Sequence, residues 1–398
     1  MSSVRRYQIV LLGPEAPSDR DWILNRLENR VKELSDTLWA HIDILEGASV
    51  GDFDIKAPVV GVWSGSPRPS NSTDLTTLDS LLSAAKPILP LVRATANFNA
   101  QTPTQLHPVN GLSLNGSDGQ RDRAVNTILE VLQLLRRRRR LFISYARKDS
   151  RAAARQLFGS LAERGFDVFL DTHSIPAATF FQNQLWHSMV DSDLVVLLDS
   201  NGVDNSHWCR AEYERADALS IGVVRLLWPD RKVDPSTDAL QFSLMVPLAA
   251  SDFRSGSRAP SQSDELTDAA VDKIAETVEG FRARSIAARQ ANLITTFQRE
   301  AAAKSITTTV QPNLHVTVQK PAKKIIAIVP TVGVPISTNY HDAFMEYEAD
   351  PPDVGAQVIL YNRQGFLPSW VDHLTWLNTK LPVTGIDVTE VPAWLSTL

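Results

Sequence analysis

The chain has 398 residues, 43% of them hydrophobic and 21% charged, which is long for one core and suited to two or three. A formal net charge of −5 argues against a protein built mainly to coat nucleic acid, and a single cysteine, Cys209, excludes a disulfide framework within the chain. The longest apolar run, Ile325 to Val334, is too short to span a bilayer, and the opening MSSVRRYQIVLLGPEAP is too brief for a signal-peptide core, so a soluble, cytoplasmic protein with no membrane partner is expected.

Residues 1–119 alternate strand and helix. Tyr7 to Leu12 reads as a buried strand stopped by Gly13-Pro14, and Ser18 as the start of a helix with Ile23, Leu27, Val31 and Leu34 on one face. His41–Leu45, Val59–Trp63 and Pro87–Val92 are further strands, and the alternation argues a parallel α/β sheet. Ser64-Gly65-Ser66 lacks a Gly-rich phosphate fingerprint around it and reads as a turn. Residues 120–140 read as a connecting helix that ends in five arginines, Arg136 to Arg140, placed where cations suit the helix's negative pole.

Over 141–255 the alternation restarts. Strands are expected at Phe142–Tyr145, Phe166–Asp171, Asp193–Leu198, Val223–Leu227 and Met245–Ala249, with helices at Arg151–Arg164, Phe180–Val190 and His207–Leu219. Five strands with intervening helices make an open, five-stranded parallel sheet. A helical connector is expected over 264–304. Residues 305–398 form another α/β domain, with strands near 314–318, 325–329 and 358–361 and a helix at 370–377. Its loop Pro330–Ser337 follows a strand and reads either as an ordinary turn or as a site for a small phosphorylated signal.

Chemistry concentrates in one place. After the loop Ser200–Ser206 comes His207-Trp208-Cys209-Arg210-Ala211-Glu212, in which Trp208, Cys209 and Glu212 share a helical face. That face begins beyond the carboxyl end of a strand, where open α/β sheets place their ligands. FISYARKD (Phe142–Asp149), GFDVFLD (Gly165–Asp171), SIPAATFFQNQL (Ser174–Leu185), DSDLVVLLD (Asp191–Asp199) and SHWCRAEYERA (Ser206–Ala216) follow one another in the order and spacing of a Toll/interleukin-1 receptor (TIR) domain, which this part of the chain resembles. The resemblance implies a flavodoxin-like fold flanked by two further α/β domains, the first of them a possible degenerate TIR-like unit without a counterpart of W-C-x-x-E.

In the NAD-cleaving branch of that family, the resemblance makes Glu212 the catalytic glutamate. It assigns substrate contact to Arg147, Phe181 and Trp208, with Ser144 and Ala146 beside them at the end of the first strand. Phe181 and Trp208 serve equally well as core, and Cys209 reads as a packing residue. Ala177-Ala178-Thr179 departs from the glycine or acidic residue that many relatives carry in this loop. NAD+ would be the substrate, with no cofactor and no metal required; the eight histidines form no metal-ligand spacing. The implied activity is an NAD+ nucleosidase of bacterial antiphage defence, releasing nicotinamide and ADP-ribose or a cyclic variant. It would self-associate through its TIR domains under control of the flanks, with the C-terminal domain as a possible sensor and a small nucleotide or protein as trigger. The alternative is a non-enzymatic scaffold working by TIR–TIR assembly; nucleic-acid binding through the arginine run is the weakest reading.

Overall fold

The computed structural model describes residues 6–93, 98–170, 181–203, 216, 219–231, 242–319, 325–348 and 354–398. The chain divides into two compact units, Met1–Arg137 and Arg138–Leu398.

In the first unit, β1 (Tyr7–Leu12), β2 (Ile42–Leu45), β3 (Val59–Ser64), β4 (Ile88–Val92) and β5 (Leu112–Ser113) form one sheet in the order β2-β1-β3-β4-β5. Every pairing is parallel. Helices α1 (Ala16–Leu34), α2 (Ser72–Ser83), α3 (Phe98–Gln101) and α4 (Asp118–Val131) link and cover the strands. A parallel sheet is buried on both faces, which is why β1 is an unbroken buried run rather than an alternating one. Val10, Leu12, Val59, Trp63, Leu78 and Leu81 pack in one cluster. Ile23, Leu27 and Val31 of α1 and Val125, Ile128 and Leu129 of α4 are also buried, each such side chain contributing about 1.5–3 kcal/mol.

Two local expectations are corrected here. Helix α1 starts at Ala16, not Ser18. Pro17 sits in the first turn, where a missing N–H costs nothing, and no side chain caps the helix. Helix α4 stops at Val131, so the arginine run is not helical. Gln133 adopts a positive φ of 62°, and the N–H groups of Leu134 and Leu135 both return to the Leu129 carbonyl, closing the helix with buried leucines.

The second unit opens on those arginines. Strands β6 (Arg140–Tyr145), β7 (Asp167–Leu170), β8 (Leu194–Asp199), β9 (Gly222–Leu227) and β10 (Ser243–Pro247) form an all-parallel sheet in the order β10-β9-β8-β6-β7. Counted by position, this is the strand order of the first unit. Helices α5 (Arg151–Glu163) and α6 (Phe181–Val190) follow β6 and precede β8 respectively. The arginines are fasteners rather than a solvated run: Arg138 pairs with Asp191 at 3.4 Å, Arg139 with Glu279, and Arg140 with Asp191 and, at 2.8 Å, with Asp167. Arg139 also lies over the Phe166 ring, 4.3 Å from its centroid.

Helix α7 (Asp268–Ala303) has 36 residues and runs about 54 Å at 1.5 Å per residue. Its first half, with Ile274, Ala275, Val278 and Phe281, completes the core of the β6–β10 sheet. Its second half, with Leu293, Ile294, Phe297 and Ala301, is core to the last sheet. One stiff element therefore belongs to both cores. Its middle is pinned by the buried pair Arg282–Asp193, 2.6 Å apart, and by Arg289, whose guanidinium donates to the carbonyls of Val190 and Ser192 at 2.7 Å.

The last sheet, β11 (Thr308–Val310), β12 (Val316–Gln319), β13 (Ile325–Pro330), β14 (Val354–Tyr361) and β15 (Thr384–Asp387), keeps sequence order. Its first two pairings are antiparallel and its last two parallel. Helices α8 (Ser337–Glu348), α9 (Pro368–Asn378) and α10 (Val391–Leu395) accompany it. No helix among the described residues is long and apolar enough to cross a membrane.

Candidate functional site

The carboxyl end of β6 delivers the first part of the site. Ser144 and Ala146 are buried, and Arg147 is exposed on the turn that follows. The Ala146 carbonyl accepts from the N–H groups of Asp149 and Ser150 and from the Ser150 hydroxyl, at 3.0–3.1 Å. This knots 146–150 into a tight turn that launches α5.

From that turn the Asp149 carboxylate reaches across to the loop after β8. It accepts from the Ser200 hydroxyl at 3.1 Å and from the Gly202 N–H at 2.6 Å. Gly202 is required for this approach, since a Cβ there would stand 2.3 Å from Asp149 Oδ2. The loops after the two central strands are thus tied together by one charge-assisted clasp.

Beneath it lies a second layer. Asp199, at the end of β8, is almost fully buried and accepts from Arg225 at 2.8 Å and Arg231 at 3.0 Å. Asn201 donates to Asp230 at 2.6 Å, drawing in the loop after β9. The strand-end platform is therefore held by carboxylates facing guanidinium, hydroxyl and amide donors, which fix its loops in addition to their apolar packing.

Of the expected site residues, the structure brings Ser144, Ala146 and Arg147 to this platform. Trp208, Cys209 and Glu212 lie outside the described residues, as does the loop at 172–179; Phe181 begins α6, and its side chain lies outside them too. Ala216, four residues beyond Glu212, is helical and buried in the cluster that contains Ala146, Val203 and Phe142. Asp149 and Gly202 were missed as a pair. Asp149 belongs to the motif FISYARKD, but nothing local shows that its partner stands 53 positions later.

Among the described residues no cluster of His, Cys, Asp or Glu could hold a metal ion. The loop after β13 (Thr331, Val332, Gly333) lines a cavity with Arg289 and Asn292 of α7 and with Asn362. At about 70 Å³ it is far smaller than the usual small-molecule pocket.

A five-stranded, all-parallel sheet ordered 2-1-3-4-5, with its polar platform at the carboxyl ends of the first and third strands, defines a flavodoxin-like α/β domain. More particularly, residues 141–267 match the family model of the TIR domain, and this chain contains a TIR domain over that stretch. No curated protein matches the chain.

Proposed function

We propose that the TIR domain is an NAD+ glycohydrolase with Glu212 as its catalytic residue. The observation that carries this reading is the set S-x-W-C-x-x-E (Ser206–Glu212), which follows directly on the loop that Asp149 and Gly202 clasp to the end of β6.

The nicotinamide of NAD+ is a pyridinium, so it departs with the bonding electron pair as a neutral base and needs no general acid. Breaking the ribosyl C–N bond leaves positive charge on the ribose ring. One carboxylate beside the ribose stabilises that oxocarbenium-like state. Water then adds to the anomeric carbon and releases a proton, giving ADP-ribose; attack by an adenine nitrogen instead gives a cyclic product. Arg147, exposed on the adjoining turn, would face the diphosphate, and Phe181 and Trp208 would shelve the nicotinamide.

Self-association through the TIR domain, control by the flanking regions and a role in antiphage defence belong to the same proposal. The purified 398-residue chain, tested under activating conditions such as crowding or phage-infected extract, should consume NAD+ and release nicotinamide. Glu212→Ala should lose at least about 100-fold of that rate, the scale on which removal of a transition-state stabiliser is felt. Equal consumption by both forms would remove Glu212 from the mechanism. No consumption by either, with TIR-dependent assembly intact, would favour the scaffold.

A further inference from the structure

The first unit has a cavity of its own, beyond the carboxyl ends of β4 and β5 and against the first turns of α1 and α4. Its volume, about 480 Å³, lies in the range of small-molecule sites. Carboxyl strand ends are where open parallel sheets hold ligands. It is lined by Asp19, Trp22, Arg93 and Arg121, with the Leu114–Gly116 turn.

Three properties of this lining specify a ligand. First, it carries two guanidiniums against one carboxylate. Arg93 and Arg121 are 40% and 36% exposed, so both present charge to an incoming group, and Arg121 has its nearest carboxylate, Asp118, only at 3.9 Å. An anionic group is favoured. Second, the Arg121 guanidinium lies over the Trp22 indole, 5.6 Å from the ring centroid. Indole and guanidinium planes are the surfaces on which nucleobases stack.

Third, Asp19 is 2% exposed and its carboxylate is half used. Oδ1 accepts from Trp22 Nε1 at 2.8 Å and from Arg93 at 2.6 Å, while Oδ2 has no partner. A buried carboxylate oxygen without a donor is costly and marks a place where a donor belongs. Asp19 and Arg93 both line the cavity, so the unsatisfied oxygen belongs to a side chain at its wall.

An anion, a flat ring and an N–H or O–H donor in one molecule of this size describe a nucleoside monophosphate. We propose that the N-terminal unit binds one here, with Arg121 and Arg93 on the phosphate, the ring against Trp22, and an N–H donor of the base on Asp19. This site is separate from the TIR platform and does not depend on NAD+ cleavage.

The test is calorimetric titration of the full chain with AMP, GMP, CMP, UMP and orthophosphate. At least one mononucleotide is expected to bind one per chain, with orthophosphate at least tenfold weaker. Arg121→Ala, on a partly exposed side chain that the fold does not need, should weaken binding at least tenfold, and Asp19→Asn should change the order of preference among the bases. Glu212→Gln should leave binding unchanged. The proposal is overturned if no mononucleotide saturates below about 1 mM. It is equally overturned if Arg121→Ala binds as the parent does, or if Glu212→Gln abolishes binding and so places the nucleotide in the TIR domain.

Discussion

The N-terminal sheet and the TIR sheet share one strand order and close the same gap by opposite means. In the TIR domain the carboxylate comes from the loop after the first strand: Asp149 accepts from the Gly202 N–H in the loop after the third. In the N-terminal unit the glycine is on the first-strand side. Gly13 donates to Asp74, which stands in the first turn of the helix after the third strand, at 2.8 Å. Gly13 is sterically imposed, since a Cβ there would stand 2.6 Å from the Ser64 carbonyl, whereas a Cβ at Gly202 would meet only the Asp149 carboxylate and so displace the clasp itself. The fold demands that these two strand-end loops be joined and leaves open which of them supplies the charge. Once joined, the ends are free to diverge. One leads into S-x-W-C-x-x-E; the other leaves a cavity bounded by arginines and an indole.

The two units also fasten a long-range helix differently, and this contrast predicts a large effect. In the second unit, α7 is held by Arg282 and Asp193, neither of which is solvent-exposed. In the N-terminal unit, α4 is held to α1 by Arg26 with Asp118 and Asp122, all partly open to water. Arg282→Ala strips a fully buried carboxylate of its guanidinium and should destabilise by about 3–5 kcal/mol. Arg26→Ala should cost only about 0.2–1 kcal/mol. Hydrogen exchange checks the pair: Arg282→Ala should strip protection from β6, β8 and α7 while leaving β1 and β3 protected. Equal losses from the two substitutions would end the distinction.

A middle-sized effect tests the exchanged clasp. Gly13→Ala meets backbone at a φ of 98° and should cost about 1–3 kcal/mol of stability. Gly202→Ala meets only the tip of the Asp149 side chain, which can swing away. Its cost should be nearer the loss of one charge-assisted hydrogen bond, about 1.5–3 kcal/mol at most. What separates them is activity. Gly202→Ala should lower NAD+ cleavage more than it lowers the melting temperature, because it frees the loop leading to Glu212. Gly13→Ala should act on stability alone. Assays of both variants at one temperature, well below either melt, decide it.

How much of this was legible follows from how local each signal is. The strand Tyr7–Leu12 could be read because a buried parallel strand is a continuous apolar run. The TIR domain could be read because its motifs, FISYARKD first among them, are short and follow one another at fixed spacing; the site reading of SHWCRAE lies outside the described residues. The arginine run was misplaced because the rule about cations at helix ends is local, whereas Asp167, Asp191 and Glu279 are brought to it by the fold. Gln133 in a left-handed conformation carries no mark in the sequence. The shared strand order agrees with the reading of the first domain as a degenerate TIR-like unit, although order in a sheet is not periodicity along a chain. The lining of the N-terminal cavity is scattered between Ser18 and Arg121 for the same reason.

The smallest expected effect concerns a contact with no counterpart in the N-terminal unit. His187, at the end of α6, is buried against the last domain. It stacks on Trp370 at 5.7 Å, meets Phe366 edge-on, and its Nδ1 accepts the Leu367 N–H at 3.3 Å. Burial holds its pKa below the ordinary imidazole value; Asp191 opposes this, and Arg140 and Arg138 reinforce it. The unfolded chain therefore binds the proton first as pH falls. The contact contributes fully above the ordinary imidazole value, and its contribution is lost progressively as pH drops from there toward the lower folded value. His187→Gln keeps an acceptor for Leu367 and cannot take up the proton. Urea midpoints measured from about pH 7.5 to about pH 5.5 should fall more steeply for the parent than for His187→Gln. Parallel slopes would show that this ring does not sense pH, leaving α6 joined to the last domain by packing and hydrogen bonds that do not titrate in this range.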